Sequence, residues 1–191
     1  AQNAMDAAAA GKHILCEKPL ATNVLVVGEM LDACRKNQVF FLEGFMWRCH
    51  PVSKRLVDLV CNGAIGRVRM VESQFGYNLR GMPEHTRMNK ALAGGGIMDV
   101  GCYPVGAASL VAGANQGLPY VEPLELKAVG HVGETGVDEW TTATLRFEED
   151  LFAVVTCAVQ CNLQNVLWIG GEDGSIRLRR PWHADGHIEL T

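Results

Sequence analysis

A change from helix to strand near the N-terminus limits what this chain can fold into. Residues 1–10 are rich in alanine and predict a helix, and Gly11 marks its end because glycine accepts the left-handed conformation. The next residues, His13-Ile14-Leu15-Cys16, form a short and mostly apolar run of the kind found in strands buried in parallel sheets. The chain therefore opens with a pattern typical of an α/β fold.

Polar residues follow directly at the end of this predicted strand. Ligands of open α/β sheets bind outside the carboxyl ends of the strands, so Glu17 and Lys18 stand where a cofactor or substrate would be met. Pro19 cannot continue the strand ladder, and a peptide bond that precedes proline adopts the cis form far more often than any other. The alternative is that Lys18 is an ordinary solvated loop residue, because charge is common in such loops.

The alternation of helix and strand then continues. Thr22 or Asn23 can cap a helix. Its apolar stripe consists of Val24, Val27, Leu31 and Cys34. Residues 38–45, with the sequence QVFFLEGF, predict the following strand. No Gly-x-Gly-x-x-Gly turn follows a predicted strand, although such a turn belongs to the first strand of a dinucleotide fold. We therefore expect residues 1–46 to be the last part of a truncated Rossmann-type doubly wound domain in a longer protein. Without that turn, this chain alone should be inactive and should not bind NAD(P) tightly.

The character of the sequence changes near Met46. Helices are predicted over 51–62 and 97–112, with a polar surface loop over 80–93. The predicted strands cover 67–77, 124–131, 140–147, 152–161, 166–169 and 175–178, with hairpin turns at 148–150 and 171–174. Strands that succeed one another with few helices predict an α+β domain with a mostly antiparallel, open sheet over residues 47–191. We expect this domain to continue beyond the C-terminal end of the sequence.

Composition argues against several classes of function. The formal net charge of −4 is not the footprint of a nucleic-acid-binding protein. No apolar run approaches the roughly 18 residues of a membrane span. No signal peptide is visible either, so a cytoplasmic location and no membrane are expected. None of the seven cysteines forms a Cys-x-x-Cys pair, which favours small buried thiols over a metal site or a redox pair.

Two other polar clusters are assigned no function. Asp138 and Glu139 are predicted to be a strand-end charge pair that faces water. His183 and His187 are four residues apart, but a proline and a glycine nearby predict a loop rather than a helical metal pair.

A run of three glycines marks a second candidate site. Gly94, Gly95 and Gly96 allow the backbone to approach a ligand closely before a helix begins. On that helix Asp99 and Tyr103 are four residues apart and share a face among mostly apolar residues. A carboxylate in such surroundings is costly unless it is paired. Asp99 therefore either serves a function or braces the glycine loop, and Tyr103 is either a functional phenol or a core aromatic residue.

These motifs resemble those of the glucose–fructose oxidoreductase and inositol dehydrogenase (Gfo/Idh/MocA) family. Residues 16–23, CEKPLATN, resemble its Glu-Lys-Pro signature, and residues 94–103, GGGIMDVGCY, are similar to its glycine run followed by Asp-x-Gly-x-His. Tyrosine instead of histidine at position 103 is what its dihydrodiol dehydrogenase branch carries, a branch also described as NADP-dependent D-xylose dehydrogenases. The segments 43–51, 63–78 and 131–142 also look like that branch.

The resemblance implies a hydride transfer between a nicotinamide cofactor, NADP or NAD, and a sugar or cyclic diol. Lys18 would lie beside the nicotinamide, stabilise an alkoxide and lower the pKa of Tyr103, which would be the acid/base. Asp99 would orient Lys18 or a substrate hydroxyl. The implied cofactor contacts are Glu17, Lys18, Pro19 and Arg48. The implied substrate contacts are Trp47, Gly95, Gly96, Asp99 and Tyr103.

Departures from the family pattern concern two positions. Met46 occupies the place of a tryptophan of the branch, and Trp47 follows it. Other members carry Trp-Arg ahead of the glycines, and the nearest counterpart here is Arg87, preceded by Thr86 at a slightly different spacing.

Two alternative functions remain open. One is an inositol or aldose dehydrogenase of the same fold, although a tyrosine at 103 argues against the inositol type. The other is a non-catalytic scaffold or regulator, against which the presence of Lys18, Asp99 and Tyr103 argues.

The predicted sheet also suggests a partner. Residues 152–159 are mostly apolar in both alternating sets, and all four residues of 166–169 are apolar. The predicted helices can cover only one face, and an uncovered apolar face of this size usually marks an interface. We therefore expect a homodimer, or a dimer of dimers, joined through the open face, as the family resemblance also implies. The alternative is that further C-terminal residues cover that face.

Overall fold

A computed structural model describes residues 1–183 and 187–191, which form two compact units, Ala1–Met46 and Trp47–Thr191. In the first unit, two helices alternate with two strands. The helices are α1 (Gln2–Ala9) and α2 (Val24–Lys36), and the strands are β1 (Ile14–Glu17) and β2 (Phe41–Gly44). The two strands pair in parallel, with Cys16 opposite Glu43. The alternation predicted from the sequence is therefore present.

The first unit agrees with the predicted helix cap, but the prediction that β1 is buried is wrong. Asn23 caps α2, because its Oδ1 accepts a hydrogen bond of 3.0 Å from the N–H of Val26. Leu15 on β1 is 72% exposed, since the described part of this unit contains a sheet of only two strands.

The second unit consists of two helices and a large sheet. The helices are α3 (Pro51–Cys61) and α4 (Cys102–Asn115). The strands are β3 (Val68–Gly76), β4 (Glu125–Val132), β5 (Asp138–Arg146), β6 (Phe152–Ala158), β7 (Val166–Gly171), β8 (Ser175–Arg179) and β9 (His187–Leu190). The described residues form a seven-stranded sheet in the order β4-β5-β6-β3-β7-β8-β9. Among its described pairs, β3 and β6 are parallel and the others antiparallel, which confirms the predicted architecture.

Strand β9 was not predicted. His187 begins this strand, although a loop was expected around it, because β9 forms by pairing with β8 rather than from a strong local pattern. The residues 184–186 of that predicted loop lie outside the described part of the chain.

Helix α4 covers the inner face of the sheet. It packs on β3 and β6, and its buried residues include Ala107, Ala108 and Ala112, whose small side chains allow a close approach. The stretch Lys90–Asn115 is long and apolar enough by composition to cross a membrane, with 67% of its apolar window buried inside the protein. This stretch contradicts the expectation from the sequence that no apolar run approaches the length of a membrane span.

The opposite face of the sheet is mixed rather than apolar. The register places one row of neighbouring side chains across five strands, namely Thr144, Val154, Glu72, Trp168 and Arg177. Val154 and Trp168 agree with the prediction of an apolar open face. Thr144, Glu72 and Arg177 make this face more polar than expected, because the alternation within one strand does not show which residues lie beside it on the neighbouring strands.

The parallel pair in this sheet brings several polar residues to one edge. Strands β3 and β6 end side by side, so that the N–H of Tyr77 bonds the carbonyl of Ala158 at 3.1 Å. Strand β5 is antiparallel to β6, and its first residue, Asp138, therefore lies at the same edge. A single π-helical turn, Ile97–Gly101, precedes α4 there and bears Asp99.

Candidate active site

The carboxylate of Asp99 lies at the centre of a polar cluster. Its side chain is 13% exposed, and its Oδ1 forms an ion pair of 2.9 Å with Nε of Arg87. Its other oxygen, Oδ2, accepts a hydrogen bond from the hydroxyl of Tyr77. A carboxylate that is nearly buried is stable when it is paired in this way. Asp99 therefore holds together three separate segments of the chain.

Arg87 reaches Asp99 from the turn Thr86–Met88. The N–H of Arg87 donates to Nδ1 of His85 at 3.2 Å, which fixes the start of this turn. Its guanidinium group also lies over the ring of Tyr77, 5.9 Å from the ring centroid. The predicted loop over 80–93 is therefore not a purely solvated segment, because it supplies the cation of the site.

The electrostatics of the cluster keep its partners in fixed charge states. The hydrogen bond to Asp99 is the main reason why the pKa of Arg87 is raised further above its ordinary value. Burial, and then the hydrogen bond to Asp99, raise the pKa of the Tyr77 phenol well above its ordinary value. At neutral pH Tyr77 is therefore a neutral donor and Arg87 a cation. Sequence reasoning missed Tyr77, and the available signal was its position directly after a central strand.

Tyr103 combines features of both predicted roles. Its side chain is 5% exposed, and its ring packs edge-on against Phe75 and Trp182, at centroid distances of 5.1 and 5.6 Å. The ring is thus a core aromatic. Of the causes that raise the pKa of Arg87, the smallest is the charge that the Tyr103 phenol carries when it is ionised, so Tyr103 lies within electrostatic range of Arg87.

Two tryptophans complete the aromatic packing beneath the cluster. Trp182 is 1% exposed, and its Nε1–H donates to the carbonyl of Gln74 on β3 at 2.9 Å. The ring of Trp47 meets Trp182 edge-on at 5.5 Å and is itself buried. Arg48 is exposed, with its guanidinium 5.9 Å from the centroid of Trp47. The predicted substrate contact Trp47 therefore packs in the aromatic core of this unit.

The glycine run is packed against the protein itself. The N–H of Gly95 donates to the carbonyl of Arg87 at 2.8 Å, and a Cβ at Gly94 would overlap that same carbonyl. Gly95 has a φ of +117°, a conformation that side-chain-bearing residues rarely adopt. Gly95 and Gly96 both lie against the carboxylate of Asp138. The close backbone approach predicted for the glycines is therefore made to Arg87 and Asp138.

Asp138 and Glu139 do not form a charge pair that faces water. Asp138 Oδ2 accepts a hydrogen bond of 2.7 Å from the N–H of Ile97. The side chain of Glu139 is only 16% exposed and lies 3.8 Å from Nε2 of His131. Because β5 begins with a register shift beside β4, both side chains turn into the edge of the sheet instead of alternating outward.

The Glu-Lys-Pro turn lies in the first unit, at the carboxyl end of β1. Strand β1 ends at Glu17, Lys18 is half-buried, and the peptide bond between Lys18 and Pro19 is cis. Gly44 of β2 lies so close that a Cβ there would come within 3.3 Å of the carbonyl oxygen of Cys16. Burial raises the pKa of Glu43 on the same strand, although a backbone hydrogen bond from Leu20 opposes this shift. The turn is thus held against β2.

Among residues 1–183 and 187–191, no group of three or more histidine, cysteine or acidic side chains is arranged to hold a metal ion.

Comparison with known proteins identifies the family. Residues 1–45 match the NAD-binding Rossmann-fold domain of the Gfo/Idh/MocA oxidoreductases, and residues 53–177 match the C-terminal domain of the same family. The chain belongs to the Gfo/Idh/MocA family. The mostly antiparallel sheet predicted from the sequence lies in the unit that matches the C-terminal domain of the family.

Named members of the Gfo/Idh/MocA family lie close in sequence. Trans-1,2-dihydrobenzene-1,2-diol dehydrogenase from Mus musculus is 34% identical over 174 residues, which cover 91% of this chain and 50% of that enzyme. The human enzyme of the same name is 33% identical over 173 residues, with 91% and 49% covered. The chain thus spans about half the length of the curated relatives that it matches.

Solved structures of related enzymes share the fold. Aldose-aldose oxidoreductase from Caulobacter crescentus, complexed with glycerol, superimposes with a TM-score of 0.87 at 29% identity, covering 100% of this chain and 56% of that one. A mutant 3-ketoreductase from Actinomadura kijaniata, in complex with TDP-benzene and NADP, gives a TM-score of 0.83 at 25% identity, with 100% and 58% covered.

Proposed function

We propose that the full-length protein is an NAD(P)-dependent dehydrogenase that acts on a sugar or a cyclic diol. The observation that carries the proposal is the Asp99 cluster, in which a nearly buried carboxylate is held by Arg87 and Tyr77 next to a second phenol, Tyr103. Such a cluster suits a substrate with hydroxyl groups. The dihydrodiol dehydrogenases among its relatives support the substrate class.

The cluster can bind a hydroxyl and move its proton. An ionised carboxylate offers about four acceptor positions, so Asp99 can accept a substrate hydroxyl while it holds Arg87 and Tyr77. Tyr103 is the acid/base of the proposal, because the proton of the hydroxyl must leave from oxygen when the carbinol carbon is oxidised. The rings of Phe75 and Trp182 pack edge-on against the ring of Tyr103 and hold it in place. Asp99 orients the hydroxyl, and the carbonyl of Gly95 holds the backbone N–H of Asp99.

The first unit fits a nicotinamide cofactor at the end of β1. The half-buried Lys18 supplies a cation at the carboxyl end of a parallel strand, and Gly44 leaves space for the Glu-Lys-Pro turn against β2. Glu17, Lys18 and Pro19 would contact the cofactor there. A bound NAD or NADP would supply the hydride acceptor or donor. The 3-ketoreductase relative, solved with NADP, supports this choice of cofactor.

The experiment uses the protein at its full natural length. Lys18→Met and Tyr103→Phe should each lower kcat by about 10²- to 10⁴-fold, the usual contribution of a general acid–base group, while cofactor binding and folding persist. Lys36→Met and Tyr120→Phe are matched controls on exposed residues and should leave kcat unchanged. If both test variants turn over like the wild type, the assigned roles are wrong.

The substrate class is tested with a panel of trans-dihydrodiols, D-xylose, other aldoses and inositol, each with NAD and with NADP. The aldose-aldose oxidoreductase neighbour favours an aldose dehydrogenase as the second candidate. Turnover of aldoses but not of diols would select it. A folded protein that binds the cofactor but oxidises or reduces none of these compounds would instead be the non-catalytic scaffold.

We also propose that the full-length protein is a homodimer, joined through the face of the sheet opposite α4. The row Thr144, Val154, Glu72, Trp168 and Arg177 combines apolar and polar side chains, which is the usual composition of an interface between folded subunits. A cytoplasmic location is part of this proposal, since none of the seven cysteines, all in described residues, forms a disulfide.

Sedimentation equilibrium at micromolar concentration tests the dimer. Val154→Glu should shift the full-length protein to monomer, because it buries a charge in the interface. Leu118→Glu, on a surface away from this face, should leave the dimer intact. A wild-type monomer would show instead that other residues of the same chain cover the face.

A further inference from the structure

Asp138, the first residue of β5, accepts several hydrogen bonds through its carboxylate. Its Oδ2 accepts the N–H of Ile97 at 2.7 Å, and it also accepts hydrogen bonds from the N–H of Gly96 and the hydroxyl of Thr141. Its Oδ1 occupies the space that a Cβ at Gly95 would need. The carboxylate of Asp138 is therefore enclosed by the glycine run and the strand that bears it.

The contacts of Asp138 lead directly to Asp99. Ile97 is the first residue of the π-helical turn, and the N–H of Asp99 bonds the carbonyl of Gly95 at 3.0 Å. The N–H of Gly95 in turn bonds the carbonyl of Arg87 at 2.8 Å. Gly95 thus connects the backbone of Arg87 with that of Asp99, and Asp138 holds Gly95 from the other side.

We propose that Asp138 is a positioning residue, which fixes the Gly95–Ile97 backbone so that the Asp99 carboxylate meets both Arg87 and Tyr77. It touches neither substrate nor cofactor in this proposal, and it acts through the backbone. The inference rests on the proposed function of the Asp99 cluster and adds a residue for which the sequence patterns predict no function.

The charge of Asp138 does not itself favour the fold. Burial raises the pKa of Asp138 above its ordinary value, although three backbone N–H groups and the Thr141 hydroxyl oppose the shift. An acid with a raised pKa in the folded state costs stability when it is ionised. A neutral acceptor of the same shape should therefore leave the protein folded, and the effects on stability and on the site can be separated.

The test is made in the full-length protein with two variants. Asp138→Ala removes both carboxylate oxygens, whereas Asp138→Asn keeps one oxygen that can accept hydrogen bonds. Displacements near 1 Å can cost up to about 10²-fold in rate, so we expect kcat to fall at least tenfold in Asp138→Ala and to be largely restored in Asp138→Asn. Asp173→Ala is the matched control. Its carboxylate also lies against a glycine turn, at Gly66, with no contact to the Asp99 cluster.

A second readout does not depend on activity. The phenol of Tyr77 titrates far above its ordinary value because of burial and of Asp99, and NMR of ¹³Cζ-labelled tyrosine follows this titration. In Asp138→Ala the titration should move down towards the ordinary range as Asp99 leaves Tyr77, whereas in Asp173→Ala it should not move. If the alanine variant does not fold, Asp138→Glu replaces it. This variant keeps the charge but displaces the oxygens, and it should show the same two changes.

The outcomes separate this inference from the proposed function. If the Tyr77 titration and kcat are both unchanged in a folded Asp138→Ala variant, the positioning role is refuted. A shifted titration with unchanged kcat would support the positioning role and refute the catalytic importance of Asp99. If the Tyr77 titration is unchanged, loss of kcat in Lys18→Met and Tyr103→Phe but not in Asp138→Ala would refute the role of Asp138 and leave the proposed function intact.

Discussion

The hydroxyl of Tyr77 donates a hydrogen bond to Oδ2 of Asp99, across 22 positions of the sequence. This bond joins the end of the central strand β3 to the turn that precedes helix α4. Arg87 binds the other oxygen of the same carboxylate from a loop between the two elements. The second unit thus ties its central strand, its covering helix and its longest polar loop together at one carboxylate.

Removal of the Tyr77 hydroxyl should weaken the second unit. Tyr77→Phe leaves Asp99 without one of its donors, and hydrogen bonds to charged groups are worth more than neutral ones. We expect the free energy of unfolding to fall by about 1–2 kcal/mol, since Tyr77 is only half-buried. Urea denaturation of the full-length protein measures the change. Tyr120→Phe, on an exposed residue, should lower the free energy of unfolding by no more than a few tenths of that amount.

The same phenol predicts how stability responds to alkaline pH. The pKa of Tyr77 is raised in the folded state, first by burial and then by Asp99. The contribution of Tyr77 is therefore complete below the ordinary tyrosine value of about 10 and is lost as the pH rises above it, because the unfolded phenol then releases its proton first. Thermal denaturation between pH 9 and 11 should show a smaller alkaline loss in Tyr77→Phe than in the wild type. An equal loss in both proteins would contradict the prediction.

Gly95 should be intolerant of a side chain for two reasons that a control can separate. Its φ is +117°, and a Cβ would overlap Asp138 Oδ1. Gly117 is the control. Its φ is +69°, but no atom lies within 4 Å of the position that a Cβ would take, so only the backbone conformation opposes substitution. Gly117→Ala should lower the free energy of unfolding by about 1–2 kcal/mol. Gly95→Ala should lose about 1–3 kcal/mol more through overpacking, and equal losses would show that Asp138 moves aside freely.

Trp182 should be the most sensitive aromatic residue of the second unit. It packs against Trp47, Phe75 and Tyr103, and its indole N–H satisfies the carbonyl of Gln74. Trp182→Ala should cost about 3–5 kcal/mol in chemical denaturation. Trp182→Phe keeps an aromatic ring but leaves the Gln74 carbonyl without this donor, so about 1–3 kcal/mol is expected. A loss in the phenylalanine variant as large as in the alanine variant would mean that the hydrogen bond, not the packing, dominates.

The cysteines should differ sharply in reactivity. Burial, assisted by the charge of Asp138, raises the pKa of the Cys157 thiol to about 12. Cys49, Cys61 and Cys161 are exposed. The thiolate is the reactive form. Iodoacetamide at pH 8 should therefore alkylate the three exposed thiols well before Cys157, as peptide mass spectrometry would show. Labelling of Cys157 at the rate of Cys161 in the folded protein would show that its surroundings open.

Much of the fold follows from local sequence patterns. The alanine-rich start with Gly11, the Asn23 cap, and Pro51 at the first position of α3 determine where helices begin and end, since these signals act within a few residues. The turn at 148–150 connects β5 and β6 as predicted. Lys18, Asp99 and Tyr103 were identified because their motifs resemble a family pattern, and family membership is confirmed.

The sequence could not show which residues come together across the chain. Tyr77, Arg87 and Asp99 meet because parallel strands β3 and β6 end at one edge, and no local period reports that neighbourhood. The sequence predicts that Asp138 is a solvated strand-end residue, since a run of two acids at a strand end is usually exposed, but the register shift of β5 turns it into the glycine run. Local patterns in the sequence predict most of the helices and strands and the chemical types at the site. The contacts between these residues depend on the tertiary structure, because pairing between strands and packing on them act over distances in sequence that local propensities do not span.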